Sequence, residues 1–337
     1  MALRTKPRAA LVHARALSRR AVAPLRTELD RLASRDDGAD LALFHDDAPA
    51  PSGGGNQFLR ALVGELEARG LTVERNRISG STHACLFNSF NFDFRRLRRF
   101  ARDDVRLVHR VDGPIAAYRG YEDGTDRRIL RINHELASAT VFQSQWSLER
   151  HGELGLELRL PAVIHNAVDP AIFHPPELRE PLEDRRVRLV ATSWSSNPRK
   201  GADVLTWLDR HLDHERFELV FVGRPPARLD RARVIAPLDS HALAEVLRHS
   251  DVYLAASRDD PCSNALLEAL ACGLPAAFLR SGGHPELVGE AGLGFDRPEE
   301  VPDVLERLTA EVEERRNAIS LPSLTTVADR YLEILRS

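Results

Sequence analysis

The stretch from Asp259 to Glu268 places two adjacent carboxylates just ahead of a helix-forming run and a third inside it. The apolar residues 252–257 before it read as a strand. Ser263 reads as an N-cap, and Gly273 with Pro275 as a stop. The loop therefore lies at a strand's carboxyl end and feeds a helix N-terminus. Unpaired amides there, around Asn264 and Ala265, attract phosphate. Asn264 and Glu268, four residues apart, share a helix face. A carboxylate at Glu268 accepts hydrogen bonds from a diol such as ribose, and Asp260 in the loop is placed to meet sugar hydroxyls. The plainer alternative is a solvated glutamate, with both aspartates favouring the helix dipole. Spacing alone leaves both open.

Three other groups invite the same question. Lys200 is one of only two lysines, with Lys6, beside 45 arginines. It follows an apolar run at 187–194 and precedes a helix pattern at 201–211, where an ammonium serves as a point charge for phosphate. Arg199 lies next to it. Gly54 and Gly55 close a glycine triplet before a helix pattern at 55–69, a place where backbone approaches an anionic ligand or simply turns. The spacing is not that of a dinucleotide fingerprint, which argues against NAD. His109, Arg110 and Asp112 end the run at 105–111. A lone histidine there is commonly structural, and Asp112 either binds acceptor hydroxyls or caps a turn. No His, Cys or carboxylate spacing suits a metal.

These residues need elements to hold them. Strands are expected at 41–45, 71–75, 84–88, 105–111 and 139–144, then at 187–194, 217–223, 233–237, 252–257 and 275–280. Helix patterns fall between them, at 55–69, 92–101, 127–137 and 145–151, then 201–211, 240–249, 263–272, 284–289 and 302–317. Alternating helices and near-continuous apolar strands imply parallel sheets covered on both faces. The fold class is α/β, with two doubly wound Rossmann-like domains facing across a cleft. Ligands bind such sheets outside the strands' carboxyl ends. A proline-rich, charged break at 166–186 separates the halves. The expected division is an extension at 1–36, helical or flexible, domains at 37–175 and 176–320, and a terminal amphipathic helix at 321–337 that can pack across either domain.

Composition narrows the classes. The chain has 337 residues, is 43% hydrophobic and 29% charged, and carries a formal net charge of −3. That suits a globular protein of two domains and gives no global field for nucleic acid. Three cysteines, Cys85, Cys262 and Cys272, show no paired spacing, and a reducing cytoplasm is the default. The basic run 92–104 reads as a solvated helix face or as a contact for an anionic acceptor or lipid surface.

Asp260, seven intervening residues, Glu-Ala-Leu-Ala-Cys-Gly-Leu-Pro from Glu268 and Gly-Gly-His-Pro-Glu from Gly282 together resemble the donor-site signature of retaining family-4 glycosyltransferases of the GT-B fold. Lys200-Gly201 resembles that family's phosphate-binding Lys-Gly, with Trp194 where an arginine is usual and Asp260 where a glutamate is usual. The likeness covers most of 40–300 and is strongest from 187 to 296. It implies a hexosyltransferase-like enzyme that moves a sugar from a nucleotide-sugar donor to an acceptor with retention. In that reading Glu268 holds ribose, Asp260 faces the hexose, and Lys200, Arg199 and the amides at Asn264 and Ala265 hold the diphosphate. Gly54 and Gly55 close on the donor, and His109 touches the sugar from the first domain. Arg110 and Asp112 lie on the acceptor side. Asn166, Val168, Asp169 and Phe173 resemble a junction element. The nucleotide-sugar is a substrate, and no cofactor or metal is implied. The acceptor, whether saccharide, lipid-linked or small molecule, is open. So is peripheral contact with the inner membrane face. A sugar-nucleotide epimerase or hydrolase of the same fold, or a non-catalytic binder, is the alternative.

Overall fold

The computed structural model describes residues 38–46 and 54–337. The expectation for residues 1–36 lies outside the described residues. The first half contains β1 (Leu41–Phe44), α1 (Gly54–Ala68), β2 (Val73–Arg75), β3 (Ala84–Asn88), α2 (Phe94–Phe100), β4 (Arg106–Val111), α3 (Ile115–Arg119), α4 (Thr125–Leu136), β5 (Ala139–Phe142), α5 (Gln145–Glu153) and β6 (Pro161–Val163). Its six strands run β2-β1-β3-β4-β5-β6, and every pairing is parallel.

The second half contains β7 (Val187–Ser193), α6 (Ala202–His211), β8 (Phe217–Gly223), β9 (Arg233–Ile235), α7 (Ser240–Arg248), β10 (Val252–Ala255), α8 (Asn264–Ala271), β11 (Ala276–Leu279), α9 (His284–Val288), β12 (Gly292–Phe295), α10 (Val301–Ala310), α11 (Val312–Asn317) and α12 (Leu324–Arg336). Its strands run β12-β11-β10-β7-β8-β9, again all parallel. Two doubly wound sheets result, each with a reversal of strand order beside its first strand. That is where ligands enter such folds.

Burial follows the alternation of side chains along each strand. On the second sheet, Val190, Val220, Tyr253 and Ala276 pack on one face with Leu266, Leu267 and Leu270 of α8. Leu189, Leu219, Leu254 and Ala277 pack on the other with Val204, Leu205 and Leu208 of α6. Short strands such as β6 and β12 are not legible as separate apolar runs, because glycine and edge position dilute their hydrophobicity. The terminal helix α12 crosses back to the first domain. Its apolar stripe, Leu324, Val327, Ala328, Tyr331, Leu332 and Leu335, is buried against Phe58 and Leu62 of α1 and Leu86 of β3. Each such fully buried aliphatic side chain contributes ~1.5–3 kcal/mol relative to exposure. Arg69 Nη1 donates to Asp329 Oδ1 at 2.5 Å, at the rim of the same packing.

Candidate functional site

A cleft of about 400 Å³ lies between the two sheets. The second domain lines it with Lys200, Asp260, Asn264, Ala265 and Glu268, and the first with Gly55, Asp112 and Tyr118. The strand ends explain the gathering. β7 leads through a single 3-10 turn, Pro198–Lys200, into α6, and β10 leads through residues 256–263 into α8. Gly201, between the turn and α6, has φ +92, and a Cβ there would lie 2.5 Å from the Ala256 Cβ. Only glycine lets these two loops touch. A Cβ on Gly282, at φ +64, would lie 2.3 Å from the Asp260 carbonyl oxygen, so the glycine pair is pressed against the acidic loop.

Lys200 Nζ donates to Asp260 Oδ2 at 2.8 Å and lies 5.1 Å from the centre of the Tyr118 ring. Burial alone would lower the lysine's pKa, but the Asp260 carboxylate outweighs it and holds the ammonium above its ordinary range. Burial opposes ionisation of Asp260 too, yet the Lys200 charge keeps its pKa below the usual carboxylate value. The pair is thus charged, and an ammonium with three donors keeps further hydrogen-bonding capacity for the cleft.

A second chain of contacts reaches Asp260 from behind. His284 is fully buried, with Nδ1 3.1 Å from the Leu279 carbonyl oxygen and Nε2 3.1 Å from Ser257 Oγ. A carbonyl only accepts, so Nδ1 carries the hydrogen. Burial lowers the histidine's pKa and favours the neutral ring. Nε2 is then an acceptor, and Ser257 donates to it. Ser257 Oγ also lies 3.4 Å from Asp260 Oδ2. The serine's single hydrogen serves the histidine, which leaves Lys200 as the charge partner of Asp260.

Glu268 lies on the cleft side of α8 and is 6% exposed. Its carboxyl has no hydrogen-bond partner among the described residues, and burial pushes its pKa up to about 8. An unpartnered buried carboxyl lining a cleft is costly unless a ligand completes it. Ser263 caps α8 through its Oγ, which accepts from Leu266 N, and Asn264 Oδ1 accepts from Asn166 Nδ2 at 3.0 Å. Asn264 and Ala265 line the cleft in the first turn, where helix amides have no partner within the helix.

Three expected site residues do not reach the cleft. His109 is fully buried: its Nε2 donates to the Ser89 carbonyl at 2.9 Å, its Nδ1 accepts from Asn133 Nδ2 at 3.2 Å, and its ring stacks on Phe87 at 4.3 Å. Burial pushes its pKa down to about 3. Arg110 is also fully buried and points to the opposite face of the sheet. It donates to Asn88 Oδ1 at 2.6 Å and Asn166 Oδ1 at 2.9 Å, and its guanidinium lies 4.9 Å from the Phe58 ring centre. Arg199 pairs with Asp259 instead of lining the cleft, and its side chain packs against Gly120 of the first domain. Of the β4 group, only Asp112 meets the cleft, held by Gln143 Nε2 and, at 3.3 Å, by Arg110 Nη1. Gly55 lines the cleft in the first turn of α1, directly after Gly54.

Other lining residues were not anticipated. His45 Nε2 lies 2.7 Å from Asn56 Oδ1 and its Nδ1 lies 3.3 Å from Asn88 Nδ2. Because Arg110 donates to the Asn88 oxygen, the Asn88 amide presents hydrogens to His45 Nδ1, which fixes the hydrogen on Nε2. His45 and Ser257 close the expected strands 41–45 and 252–257, but β1 stops at Phe44 and β10 at Ala255, so both fall in the loops that border the cleft. The domains also meet through Glu286: Oε1 accepts from Gln145 N at 2.9 Å and from His165 Nε2 at 2.5 Å, and Oε2 accepts from Trp146 N at 3.2 Å. A carboxylate of the second domain thus caps the N-terminus of α5 in the first. Asn166 and Phe173 are buried at the junction, and Asp169 turns the chain by accepting from Ala171 N at 2.9 Å.

Two parallel six-stranded sheets around an interdomain cleft define the GT-B architecture. The Anabaena protein HepE, solved with UDP and glucose, superposes with a TM-score of 0.66 at 15% identity, covering 89% of this chain and 100% of that one. Residues 186–311 match the family model for glycosyl transferases group 1. One polypeptide of the human phosphatidylinositol N-acetylglucosaminyltransferase is 30% identical over 149 residues, which are 40% of this chain and 30% of the relative. A Mycobacterium tuberculosis GDP-mannose-dependent alpha-(1-6)-phosphatidylinositol dimannoside mannosyltransferase is 33% identical over 109 residues, 29% of each chain. The match to these curated relatives spans under a third of their length. The second domain is thus glycosyltransferase-like in sequence, and the described chain is glycosyltransferase-like in fold.

Proposed function

We propose that this protein moves a sugar from a nucleotide-sugar donor to an acceptor with retention at the anomeric carbon. The observation that carries the reading is that Lys200, Asp260, Glu268 and the first turn of α8 line one interdomain cleft. Glu268 accepts hydrogen bonds from the ribose diol. Lys200 and the α8 amides meet the diphosphate charge, so the reading calls for no metal or cofactor. Asp260 orients Lys200 and faces the hexose. Gly54 and Gly55 bring α1 backbone to the donor, and Asp112 holds the acceptor. The bond from the anomeric carbon to the phosphate oxygen breaks with its electron pair on the oxygen. The acceptor hydroxyl adds on the face being vacated, and its proton passes to the departing phosphate oxygen. The protein's contribution is positioning and charge stabilisation.

The solved neighbour's UDP and the mannosyltransferase's GDP-mannose leave the base open. Two relatives named for phosphatidylinositol-based substrates favour a lipid-linked acceptor. The three cysteines are free, which suits a reducing cytoplasm. Among the described residues, no helix is long and apolar enough to cross a membrane.

The test is a thermal-shift screen of UDP-, GDP-, ADP- and dTDP-sugars, followed by product analysis with the stabilising donor. Stabilisation by one nucleotide class and transfer to an added acceptor support the proposal. No stabilisation by any class defeats it. Isomerised or hydrolysed donor without transfer assigns the fold to an epimerase or hydrolase, and binding without turnover to a non-catalytic relative.

A further inference from the structure

The first domain carries a basic face that the cleft does not use. Helix α2 holds four arginines and no acid, in Phe-Arg-Arg-Leu-Arg-Arg-Phe. Helix α4 adds Arg127, Arg128 and Arg131. Both helices cover the same side of the sheet, where Leu97 and Ile132 are buried together and Phe94 and Phe100 pack half-buried at the edge. Arg98 Nε pairs with Glu135 Oε1 at 2.8 Å and ties the two helices side by side. Arg131 stands one turn before Glu135, and Arg127 and Arg128 one turn before that, so the three continue the face.

Apart from Glu135, which pairs with Arg98, the acids within and capping these helices are engaged elsewhere. Asp126 is buried and caps α3, accepting from Ile115 N at 2.7 Å and Ala116 N at 2.9 Å. Asp93 caps α2 by accepting from Arg96 N at 3.1 Å, and Asp104 is held by Arg102 at 2.9 Å. Arg95, Arg127, Arg128 and Arg131 are exposed and have no ion pair or hydrogen bond with a side chain among the described residues. A chain with net charge −3 has therefore gathered unpaired cations on one face.

That face adjoins the cleft mouth. Asn91, just before α2, and Tyr118, in the helix before α4, both line the cleft.

We propose that the α2–α4 face docks the protein on an anionic bilayer, with the cleft mouth turned to the headgroup layer. Guanidinium groups pair with lipid phosphates in forked geometry, and the half-buried phenylalanines sit at headgroup depth. A soluble polyanion would offer charge but nothing for the aromatic edge. The docking goes beyond the transfer reaction and does not require it.

The experiment is vesicle co-sedimentation of the full chain, with phosphatidylcholine alone and with phosphatidylcholine containing phosphatidylglycerol. The comparison is between the native protein and the variant R127E/R128E/R131E. Native protein should sediment with the anionic vesicles only and be released by high salt. The variant should bind at least tenfold more weakly, with unchanged circular dichroism and melting temperature. The arginine-rich residues 1–36 remain in both proteins, so the difference reports this face alone. Equal binding of the variant, equal binding to neutral vesicles, or binding to tRNA but not to vesicles would each overturn the proposal. Failure of the donor screen leaves this result standing, so the two proposals fail separately.

Discussion

The two domains treat their ionisable strand-end residues in opposite ways. In the second domain, Lys200 and Asp260 are both ionised, paired at 2.8 Å, and open to the cleft. In the first, His109 and Arg110 are wholly enclosed, each sealed under a different helix layer. The reason is where each group stands relative to its strand. His109 and Arg110 lie within β4, so alternation sends one to each face of the sheet. Lys200 and Asp260 lie in the loops after β7 and β10, where no sheet face claims the side chain. Asp112, one residue past β4, does reach the cleft. Position beyond the strand end, more than residue type, separates a site group from a core group.

The sharpest break in this comparison comes from Lys200→Ala. Removing a preorganised charge partner of the departing phosphate should lower donor turnover by about 100-fold or more, read as kcat with the donor found in the screen. A variant within threefold of native would remove Lys200 from the mechanism. Glu268→Ala should follow, at ~10–100-fold in kcat/KM for the donor, the loss of a buried carboxyl that hydrogen-bonds ribose. A deoxyribose donor that lowers native and variant rates alike would contradict the diol contact.

Glu268 also makes a pH prediction. Its folded pKa, near 8, stands above its unfolded value, so the folded state holds more protons between roughly pH 4.5 and 8. Stability contributed by the neutral carboxyl is complete below the lower value and is lost as pH rises through the upper one. Glu268→Gln should therefore flatten the fall of the ligand-free melting temperature across that window. Parallel melting curves for the two proteins would reject the buried, unpartnered carboxyl.

On the other side of the comparison, His109→Leu should act on stability alone. It strands the Ser89 carbonyl and the Asn133 amide, at a cost of ~1–3 kcal/mol in denaturant unfolding. Turnover at a temperature where the variant is folded should stay within about twofold. A large kinetic defect would show that the enclosed ring acts on the cleft. The smallest effect belongs to Ser257→Ala, which removes the hydroxyl between His284 and Asp260. Donor KM should shift by roughly two- to fivefold, and unchanged kinetics would leave that contact purely structural.

Much of this molecule was legible in one dimension. The apolar runs at 84–88, 187–194 and 217–223 became β3, β7 and β8 with little change of boundary, because central parallel strands are apolar on both faces. Ser263, Gly273 and Pro275 marked α8 closely, because caps and stops are local chemistry. Gathering Lys200, Asp260 and Glu268 took the rule that ligands meet strands at their carboxyl ends together with the resemblance to a donor-site signature, because spacing alone left a solvated glutamate open. His45, Asn88 and His284 were missed. Each works through partners far away in the chain, such as Asn88 to His45 and His284 to Ser257, and no local pattern announces such a contact.

The sequence by itself therefore determined most of the elements, their parallel alternation and the loops that bear charge, since these follow from periodicity, caps and glycine. Tertiary structure alone decided which of those charges face the cleft and which are enclosed. That outcome depends on the face each strand turns to its covering helix, and on how Glu286, Asn166 and α12 dock one domain on the other. Those contacts join residues more than a hundred positions apart in the chain, or nearly so, and their free energy exists only when both domains are in place.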